Sequence, residues 1–358
     1  MRRSAHDGRA RQLMVLAGDG IGPEVVGAAL EVLDVLRERL PWPVEVHQAP
    51  LGRAALRAYG ETAPAHVLRE ARRADAVLVG AVDTVGAVAD GASGPSAILV
   101  LRRALGCHAA LRPVRGWPGV AHASPIRARA STQLDLLFVR DLRGGAFAGP
   151  HRRTSLAVGG RAATDRMAYT ESQVRRVAQA AFACAGQRRG QLTSVEYGPG
   201  LATGALWTAV LGEVAVQHPQ VGFQRMRIGD FWRLLLRRPQ DFDVVVTENL
   251  LGDILSDAAA ALAGSLGLMP SASLGPPDRP ALYEPVHGAA PQLAGQGSAN
   301  PLGAILSLAM LLADWGRDEA AAAIEVAVAA ALRAGVATPD IGGSATTASM
   351  TASVLERL

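Results

Sequence analysis

Apolar strand-like segments that alternate with amphipathic helical segments constrain this chain most strongly. LMVLAGDGIGPEVVGAALEVLDVL predicts a short buried strand, a glycine-rich turn and a helix that opens near Pro23, where proline is tolerated. ADAVLVGAV predicts a second, all-apolar strand, and DFDVVVTENLLGDILSDAAAALAG repeats the order of strand, polar loop and helix. This alternation predicts an α/β architecture with a mainly parallel sheet.

The length and the middle of the chain indicate two interleaved domains. A chain of 358 residues suffices for two domains. The segment LDLLFVRDLRGGAFAGPHRRTSLAVGGRAA combines short strands with glycine turns, which predict an antiparallel excursion and a candidate arm. The sequence has no internal repeat and no low-complexity linker between two halves, so we expect the domains to be interleaved.

Arginine supplies all of the basic side-chain charge at neutral pH. The sequence contains no lysine, so its 36 Lys+Arg residues are all arginine, against 32 acidic residues. These arginines are spread through helical stretches such as LREARR and LLLRRPQ, as on solvated helix faces, rather than gathered in one basic patch. We therefore expect no nucleic-acid partner.

The apolar segments predict neither a signal peptide nor a membrane anchor. The basic N-terminus MRRSAHDGRARQ lacks an apolar core, and the apolar segment AILSLAMLLA is too short to span a bilayer. The two cysteines form no CxxC motif, as is usual for thiols in a reducing compartment. We expect a soluble, cytoplasmic protein that does not bind membranes.

Two motifs leave their function open when they are considered alone. GDGIGPE (Gly18 to Glu24) is not a GxGxxG dinucleotide motif, and a plain strand-to-helix turn explains it equally well. Asp253 and Asp257 stand one helical turn apart in GDILSD, so both carboxylates project from one face. They fit a Mg²⁺ or Mn²⁺ site, or they are acids at the start of a helix that face its dipole.

Two further sets of residues suggest ligand contacts. Arg102 follows LVL in a helical run, whereas Arg112 and Arg140 are charges on otherwise apolar strands and need partners. Three converging guanidinium groups would clamp a di- or tricarboxylate, and the alternative for each is a structural salt bridge. EPVHGAAPQLAGQGSANP (Glu284 to Pro301) predicts a loop of small residues that a flat ligand could approach closely.

Taken together and in this order, these motifs resemble those of the β-decarboxylating dehydrogenases, and the isopropylmalate branch is the most similar. The likeness runs from LAGDGIGPEV through LRRALGCHAALRP, VRDLRGG, TSVEY, FDVVVTENLLGDILSD and YEPVHGAAP to TPDIGGSATT. It implies an isopropylmalate dehydrogenase-like two-domain fold, distinct from a GxGxxG Rossmann fold. Residues 1–108 and 263–358 would form the cofactor-side domain, and residues 109–262 would form the substrate-side domain with the arm and the dimer contacts.

The resemblance also implies a homodimer that binds a small di- or tricarboxylate, Mg²⁺ or Mn²⁺, and NAD or NADP. Asp253 and Asp257 match the metal ligands of the family. The substrate contacts it implies are Ser96, Arg102, Arg112 and Arg140, and the cofactor contacts are His287, Gly288, Ala290, Gln292 and Asn300.

This sequence departs from the family at the positions that transfer protons. The family motif DKANVL is EYGPGL here, so Tyr197 replaces the catalytic lysine and Pro199 replaces a cofactor-facing asparagine. Phe147 stands where the family has the tyrosine that donates a proton. The metal aspartate that the partner subunit supplies aligns with Gly229, and Asp230 follows one residue later.

Cofactor and substrate contacts depart as well. Gln292 stands where NAD-dependent isopropylmalate relatives carry the aspartate that binds the adenosine ribose, and it offers no cation for an NADP phosphate. The loop GASGPSAIL, before Arg102, lacks the acidic contact of the isopropylmalate branch. Ser96 in this loop stands where isocitrate relatives have a serine that touches substrate.

Three functions are consistent with these departures. The first is a divergent dehydrogenase in which Tyr197 acts as the base, its pKa lowered by the metal and by arginines. The second is a metal-dependent decarboxylase or lyase without net hydride transfer, in specialised metabolism. The third is a non-catalytic homologue that still binds the ligand.

Overall fold

The computed structural model describes residues 9–83, 96–155 and 159–358. Three features from the sequence fall partly or mainly outside these ranges. They are the basic N-terminus up to residue 8, residues 91–95 of the GASGPSAIL loop, and residues 156–158 of the candidate arm.

Strands and helices alternate along much of the described chain. The strands are β1 (Arg11–Gly18), β2 (Val44–Gln48), β3 (Ala76–Ala81), β4 (Ala109–Arg115), β5 (Asp135–Asp141), β6 (His151–Ser155), β7 (Arg161–Asp165), β8 (Gln191–Glu196), β9 (Gly222–Arg227), β10 (Val244–Thr247), β11 (Pro270–Leu274) and β12 (Ala281–Pro285). The α-helices are α1 (Gly22–Leu36), α2 (Arg53–Tyr59), α3 (Ala65–Arg73), α4 (Ala97–Leu105), α5 (Ala128–Thr132), α6 (Glu171–Gly186), α7 (Ala202–Val216), α8 (Ile228–Arg237), α9 (Asn249–Ala263), α10 (Leu302–Asp314), α11 (Asp318–Arg333) and α12 (Thr347–Leu355).

The chain forms two compact units. The first comprises Met1–Cys107, Arg112–Gln133 and Ala259–Leu358, and the second comprises His108–Leu111 and Leu134–Ala258. In the first unit five strands follow the order β2, β1, β3, β12, β11. Neighbours in this series are parallel except for β11 and β12, which are antiparallel.

The second unit contains a parallel series of strands and a separate hairpin. Strands β5, β10, β8 and β9 lie next to one another in that order, and every pair is parallel. Strands β6 and β7 form an antiparallel two-stranded sheet of their own, and nearly all of their residues are exposed. The antiparallel excursion predicted from the sequence is therefore confirmed.

The predicted strand-turn-helix elements are confirmed too. Helix α1 begins at Gly22 with Pro23 in its first turn, ADAVLVGAV contains β3, and DFDVVVTENLLGDILSD contains β10 and the start of α9. The fold is a mixed α/β fold, as the alternation predicts. The apolar segment AILSLAMLLA lies in α10, and no helix in the described part of the chain is long and apolar enough to cross a membrane.

The glycine-rich turn after β1 packs directly on the small-residue loop after β12. Gly20 has a φ of +56°, and a Cβ built on it would lie 1.8 Å from the carbonyl oxygen of Ala289. The Ile21 amide donates a hydrogen bond of 2.9 Å to the same oxygen. Gly20 of GDGIGPE is therefore explained by a close approach between two backbones within the first unit.

Candidate active site

Arg140, near the end of β5, is the centre of a polar cluster in the second unit. Its Nε and Nη2 donate hydrogen bonds of 3.1 and 2.8 Å to Oδ1 of Asn249, and its Nη1 forms an ion pair with Asp253. The guanidinium carbon lies 5.7 Å from the centre of the Phe147 ring, within the range of a cation–π contact. The structure thus brings three predicted site residues together, namely Arg140, Asp253 and Phe147.

The two aspartates of GDILSD lie one turn apart on α9, as predicted. The Asp253 side chain is 33% exposed and forms an ion pair with Arg140. Asp230, on α8, instead forms an exposed ion pair of 2.9 Å with Arg233. Among the described residues, no group of three or more His, Cys, Asp or Glu side chains could hold a metal ion. The assignment of Asp253 and Asp257 as metal ligands stays a prediction.

A tight turn follows Arg140 and begins with a buried acid, Asp141. One carboxylate oxygen of Asp141, Oδ2, accepts the backbone N–H groups of Arg143 and Gly144 at 2.9 and 2.7 Å. The carboxyl group is fully buried, and this burial raises its pKa to about 6. The two backbone hydrogen bonds and Arg140 oppose that rise, whereas the Glu248 carboxylate adds to it.

Tyr169 and Glu248 extend this cluster toward the start of α9. The Tyr169 hydroxyl donates to Oε2 of Glu248 at 3.0 Å and accepts the backbone N–H of Asn249 at 2.9 Å. The Glu248 carboxylate also accepts the backbone N–H groups of Leu250 and Leu251, so it caps the helix. Burial, Asp141 and Glu248 all raise the pKa of the Tyr169 phenol, which keeps it protonated and available as a donor.

Sequence reasoning missed Tyr169, Glu248 and Asp141. A signal exists for Glu248, because an acid directly before a predicted helix is a common helix cap. Asp141 stands directly after the apolar strand LLFV and Arg140, which could have indicated a second buried charge. No local pattern marks Tyr169, because its partner Glu248 lies 79 residues further along the chain.

Tyr197, which is predicted to stand at the lysine position of the family, lies in the loop between β8 and α7 and is 45% exposed. It lines a small pocket of about 20 Å³ together with Tyr169, Leu201, Trp207 and Glu248. Partial burial, and then the Glu248 carboxylate, raise the pKa of the Tyr197 phenol. A Tyr197 base would need a lowered pKa, whereas the surrounding residues of this chain raise the pKa of Tyr197.

The first unit holds two of the three predicted clamp arginines. Arg102, on α4, donates from Nη2 and Nε to Oε1 of Glu284 at 2.6 and 3.2 Å, and both side chains are nearly buried. Arg112 is buried on β4. Ser96 directly precedes α4, and its buried hydroxyl makes no hydrogen bond within the described ranges. Arg102 is thus part of an ion pair in this structure, the alternative that its sequence context left open.

The predicted cofactor loop, between β12 and α10, also lies in the first unit. His287 has one ring nitrogen, Nδ1, 3.1 Å from the carbonyl oxygen of Gly288. The other nitrogen, Nε2, is buried and has no hydrogen-bond partner among the residues described. Burial lowers the pKa of this ring, so it stays neutral at pH 7. A Cβ built on Gly288 would lie more than 4 Å from every neighbouring atom of the residues that the structure describes.

The remaining loop residues differ in how firmly they are held. Ala290 has a left-handed φ of +38°, at the start of a short 3₁₀ turn. Gln292 is exposed, whereas Asn300 is buried. The Asn300 side chain donates to Asp340 at 3.1 Å and accepts the Leu302 amide at 3.0 Å, so it holds the end of the loop in place.

Comparisons with known proteins agree along nearly the whole chain. Residues 12–357 match the sequence profile of isocitrate/isopropylmalate dehydrogenases. The 3-isopropylmalate dehydrogenase of Moorella thermoacetica is 43% identical over 336 residues, covering 92% of this chain and 93% of that protein. The 3-isopropylmalate dehydrogenase of Deinococcus radiodurans is 43% identical over 357 residues, covering 97% of each.

Solved structures point to the same group. The isocitrate dehydrogenase of Methylococcus capsulatus superposes with a TM-score of 0.87 at 31% identity, covering 97% of this chain and 99% of that one. A β-decarboxylating dehydrogenase of Thermococcus kodakarensis superposes with a TM-score of 0.78 at 34% identity, covering 97% and 96%.

Proposed function

Because the chain belongs to the isocitrate/isopropylmalate dehydrogenase family, we propose that it is a metal-dependent β-decarboxylating dehydrogenase of a 2-hydroxy diacid, with an altered proton relay. The curated relatives favour an isopropylmalate-type substrate, and the isocitrate dehydrogenase neighbour keeps an isocitrate-type substrate open. The observation that carries the proposal is the Arg140–Asp253 pair, in which a buried guanidinium lies against a candidate metal ligand.

Asp253 and Asp257 fit Mg²⁺ or Mn²⁺ as a pair of ligands. Proteins hold Mg²⁺ with one or two carboxylates and leave the other positions to water and substrate, so a cluster of three side chains is not required. Such a metal supplies Lewis-acid chemistry at the substrate hydroxyl and carboxylate. Arg140 neutralises part of the Asp253 charge and binds a substrate carboxylate in the same region.

The loop after β12 fits NAD or NADP in part. Within the described part of the chain, the buried Nε2 of His287 has no hydrogen-bond partner and the space beside Gly288 is open, and both features suit a bound ligand. When bound, the nicotinamide accepts the hydride that the oxidation releases. Gln292 offers a neutral amide at the ribose position, so we expect weak binding and little preference between the two cofactors.

The residues at the two proton-transfer positions limit the rate of such a reaction. Phe147 has no ionisable proton, and the raised pKa of Tyr197 makes its phenolate scarce at pH 7. Losing a positioned acid or base typically slows an enzyme by about 10²–10⁴-fold. We therefore expect slow turnover, with water in place of the missing groups.

The raised pKa of Tyr197 favours a second candidate function, a metal-dependent decarboxylase or lyase without net hydride transfer. A phenol that stays protonated can act as a hydrogen-bond donor or acid, and it needs no lowered pKa for that role. The retained Arg140, Asp253 and Asp257 would serve both reactions, because each needs a bound and polarised diacid.

We also propose a cytoplasmic homodimer with the domain division 1–108 plus 263–358 and 109–262. The exposed β6–β7 hairpin supports an intersubunit arm, since an isolated two-stranded ribbon is only marginally stable in water.

The test is calorimetric titration with NAD⁺ or NADP⁺, each with and without Mg²⁺ and 3-isopropylmalate. Saturable cofactor binding with formation of reduced cofactor would support the dehydrogenase. Metal-dependent loss of CO₂ without reduced cofactor would support the lyase, and diacid binding without any product would leave a non-catalytic role.

Arg140→Gln should weaken diacid binding by about tenfold or more, the loss of a charge-assisted contact. Arg176→Gln, at an exposed position on α6, is the matched control and should leave binding unchanged.

A further inference from the structure

The turn that follows β5 is built on the buried carboxyl group of Asp141. Oδ2 of Asp141 accepts two backbone N–H groups, those of Arg143 and Gly144. Oδ1 is buried and has no hydrogen-bond partner in the described part of the chain. Burying an ionised carboxylate costs free energy when one of its oxygens accepts no hydrogen bond, so burial favours the protonated form of Asp141.

The turn leaves no room for side chains against Tyr169. A Cβ on Gly144 would lie 2.2 Å from the Tyr169 ring, and a Cβ on Gly145 would lie 2.7 Å from its hydroxyl oxygen. Gly145 also has a φ of +80°, which favours glycine. The backbone of the turn therefore packs directly on the Tyr169–Glu248 pair.

The same turn is connected to Arg140 by one amide side chain. Nδ2 of Asn249 donates to the carbonyl oxygen of Gly144 at 2.8 Å, while its Oδ1 accepts from Nε and Nη2 of Arg140. A shift of the Gly144 carbonyl would move Asn249, and with it two of the contacts that orient the guanidinium group.

We propose that Asp141 is a positioning residue whose gain or loss of one proton changes how firmly this turn holds Asn249 and Arg140. When the carboxyl is ionised, its two bonds to backbone N–H groups are charge-assisted, but the cost of the buried charge outweighs them and the turn opens more often. When it is protonated, no charge is buried and the turn stays closed more firmly. The relevance to diacid binding rests on the proposed role of Arg140, whereas the behaviour of the turn does not.

The charged and titratable groups around Asp141 come from three elements. They are Arg140 on β5, Glu248 at the start of α9, and Tyr169 before α6. The Glu248 carboxylate disfavours ionisation of Asp141, and Arg140 favours it. Because the carboxyl is fully buried and its pKa lies at about 6, the change falls within the physiological range of pH.

Hydrogen exchange of the full-length protein without ligand tests the proposal. After correction for the intrinsic effect of pH, amides of the 141–149 segment should exchange about tenfold or more faster at pH 8 than at pH 5, because opening of the turn returns the ionised carboxylate to water. In Asp141→Asn the step should vanish, and the segment should exchange at every pH as the wild type does at pH 5. An equal step in both proteins would overturn the proposal.

A second variant keeps the test decisive if Asp141→Asn does not fold. Glu248→Gln retains an acceptor for the helix cap but removes the charge that disfavours ionisation of Asp141, so the midpoint of the step should move to lower pH. An unmoved midpoint would contradict the proposal. Because neither experiment needs substrate or cofactor, failure here is distinct from failure of the proposed enzymatic function.

Discussion

The buried carboxyl of Asp141 makes a measurable prediction about stability. Raising a carboxyl pKa from 3.8 to about 6 corresponds to about 3 kcal/mol, since each pKa unit equals about 1.4 kcal/mol. The native state holds this proton more tightly than the unfolded chain does. The contribution of Asp141 to stability is therefore complete below about pH 4, and it is lost as the pH rises through about 6.

Asp141→Asn removes this dependence, because asparagine keeps a carbonyl acceptor for the two backbone N–H groups and cannot ionise. The variant should gain up to about 3 kcal/mol relative to wild type between pH 4 and pH 8. For cooperative unfolding of 358 residues, this gain corresponds to about 4 °C in Tm. If the NH₂ group of the new asparagine lacks an acceptor, the free energy of unfolding falls by the same amount at every pH. This cost therefore cancels when the stabilities at pH 4 and pH 8 are compared.

The assay is scanning calorimetry of both proteins at a series of pH values from 4 to 8. Asp278→Asn is the control, because this aspartate is 78% exposed and pairs only loosely with Arg279. Its curve should run parallel to that of the wild type. If the curve of Asp141→Asn also runs parallel, Asp141 does not titrate as described and the reasoning from burial is refuted.

Three further predictions address the ion pair, the proton relay and the cofactor. Arg102→Met should cost about 3–5 kcal/mol by leaving Glu284 buried without its charge partner, and adding Glu284→Gln should restore most of it, both measured by denaturant unfolding. Tyr197→Lys combined with Phe147→Tyr should raise decarboxylating turnover of 3-isopropylmalate by about 10²-fold or more, and an unchanged rate would show that the relay is not what limits it. Gln292→Asp should tighten NAD⁺ binding by about tenfold in calorimetry, whereas equal gains for NADP⁺ would contradict a ribose contact.

Local patterns were enough to predict the elements that carry the site. The run of strand, turn and helix around Pro23 depends on neighbouring residues, and so does the spacing of Asp253 and Asp257 on one helix face. Both could be deduced because periodicity and helix-start chemistry act over a few residues.

Partners that are distant in sequence could not be deduced in the same way. Arg102 and Glu284 are 182 residues apart, and nothing near either residue specifies the other. The sequence could show that a charge on an apolar segment needs a partner, but only the fold decides whether that partner is a ligand or a carboxylate of the same chain. The raised pKa of Tyr197 has the same origin, because it depends on burial and on the position of Glu248.

The two altered proton-transfer positions differ in what they preserve. Phe147 lacks the hydroxyl of the family tyrosine but keeps an aromatic face, and that face lies 5.7 Å from the Arg140 guanidinium. If Tyr197 replaces the family lysine as predicted, a cation becomes a neutral, partly exposed phenol whose pKa the Glu248 carboxylate helps to raise. The first residue keeps an aromatic contact with Arg140 and lacks only the ionisable proton. The second removes a positive charge that no other lysine in the sequence could supply. Arg140 is buried and paired with Asp253, and removing Asp253 would leave a costly buried charge. This geometry supports the proposal that the protein binds a diacid and that proton transfer limits its chemistry.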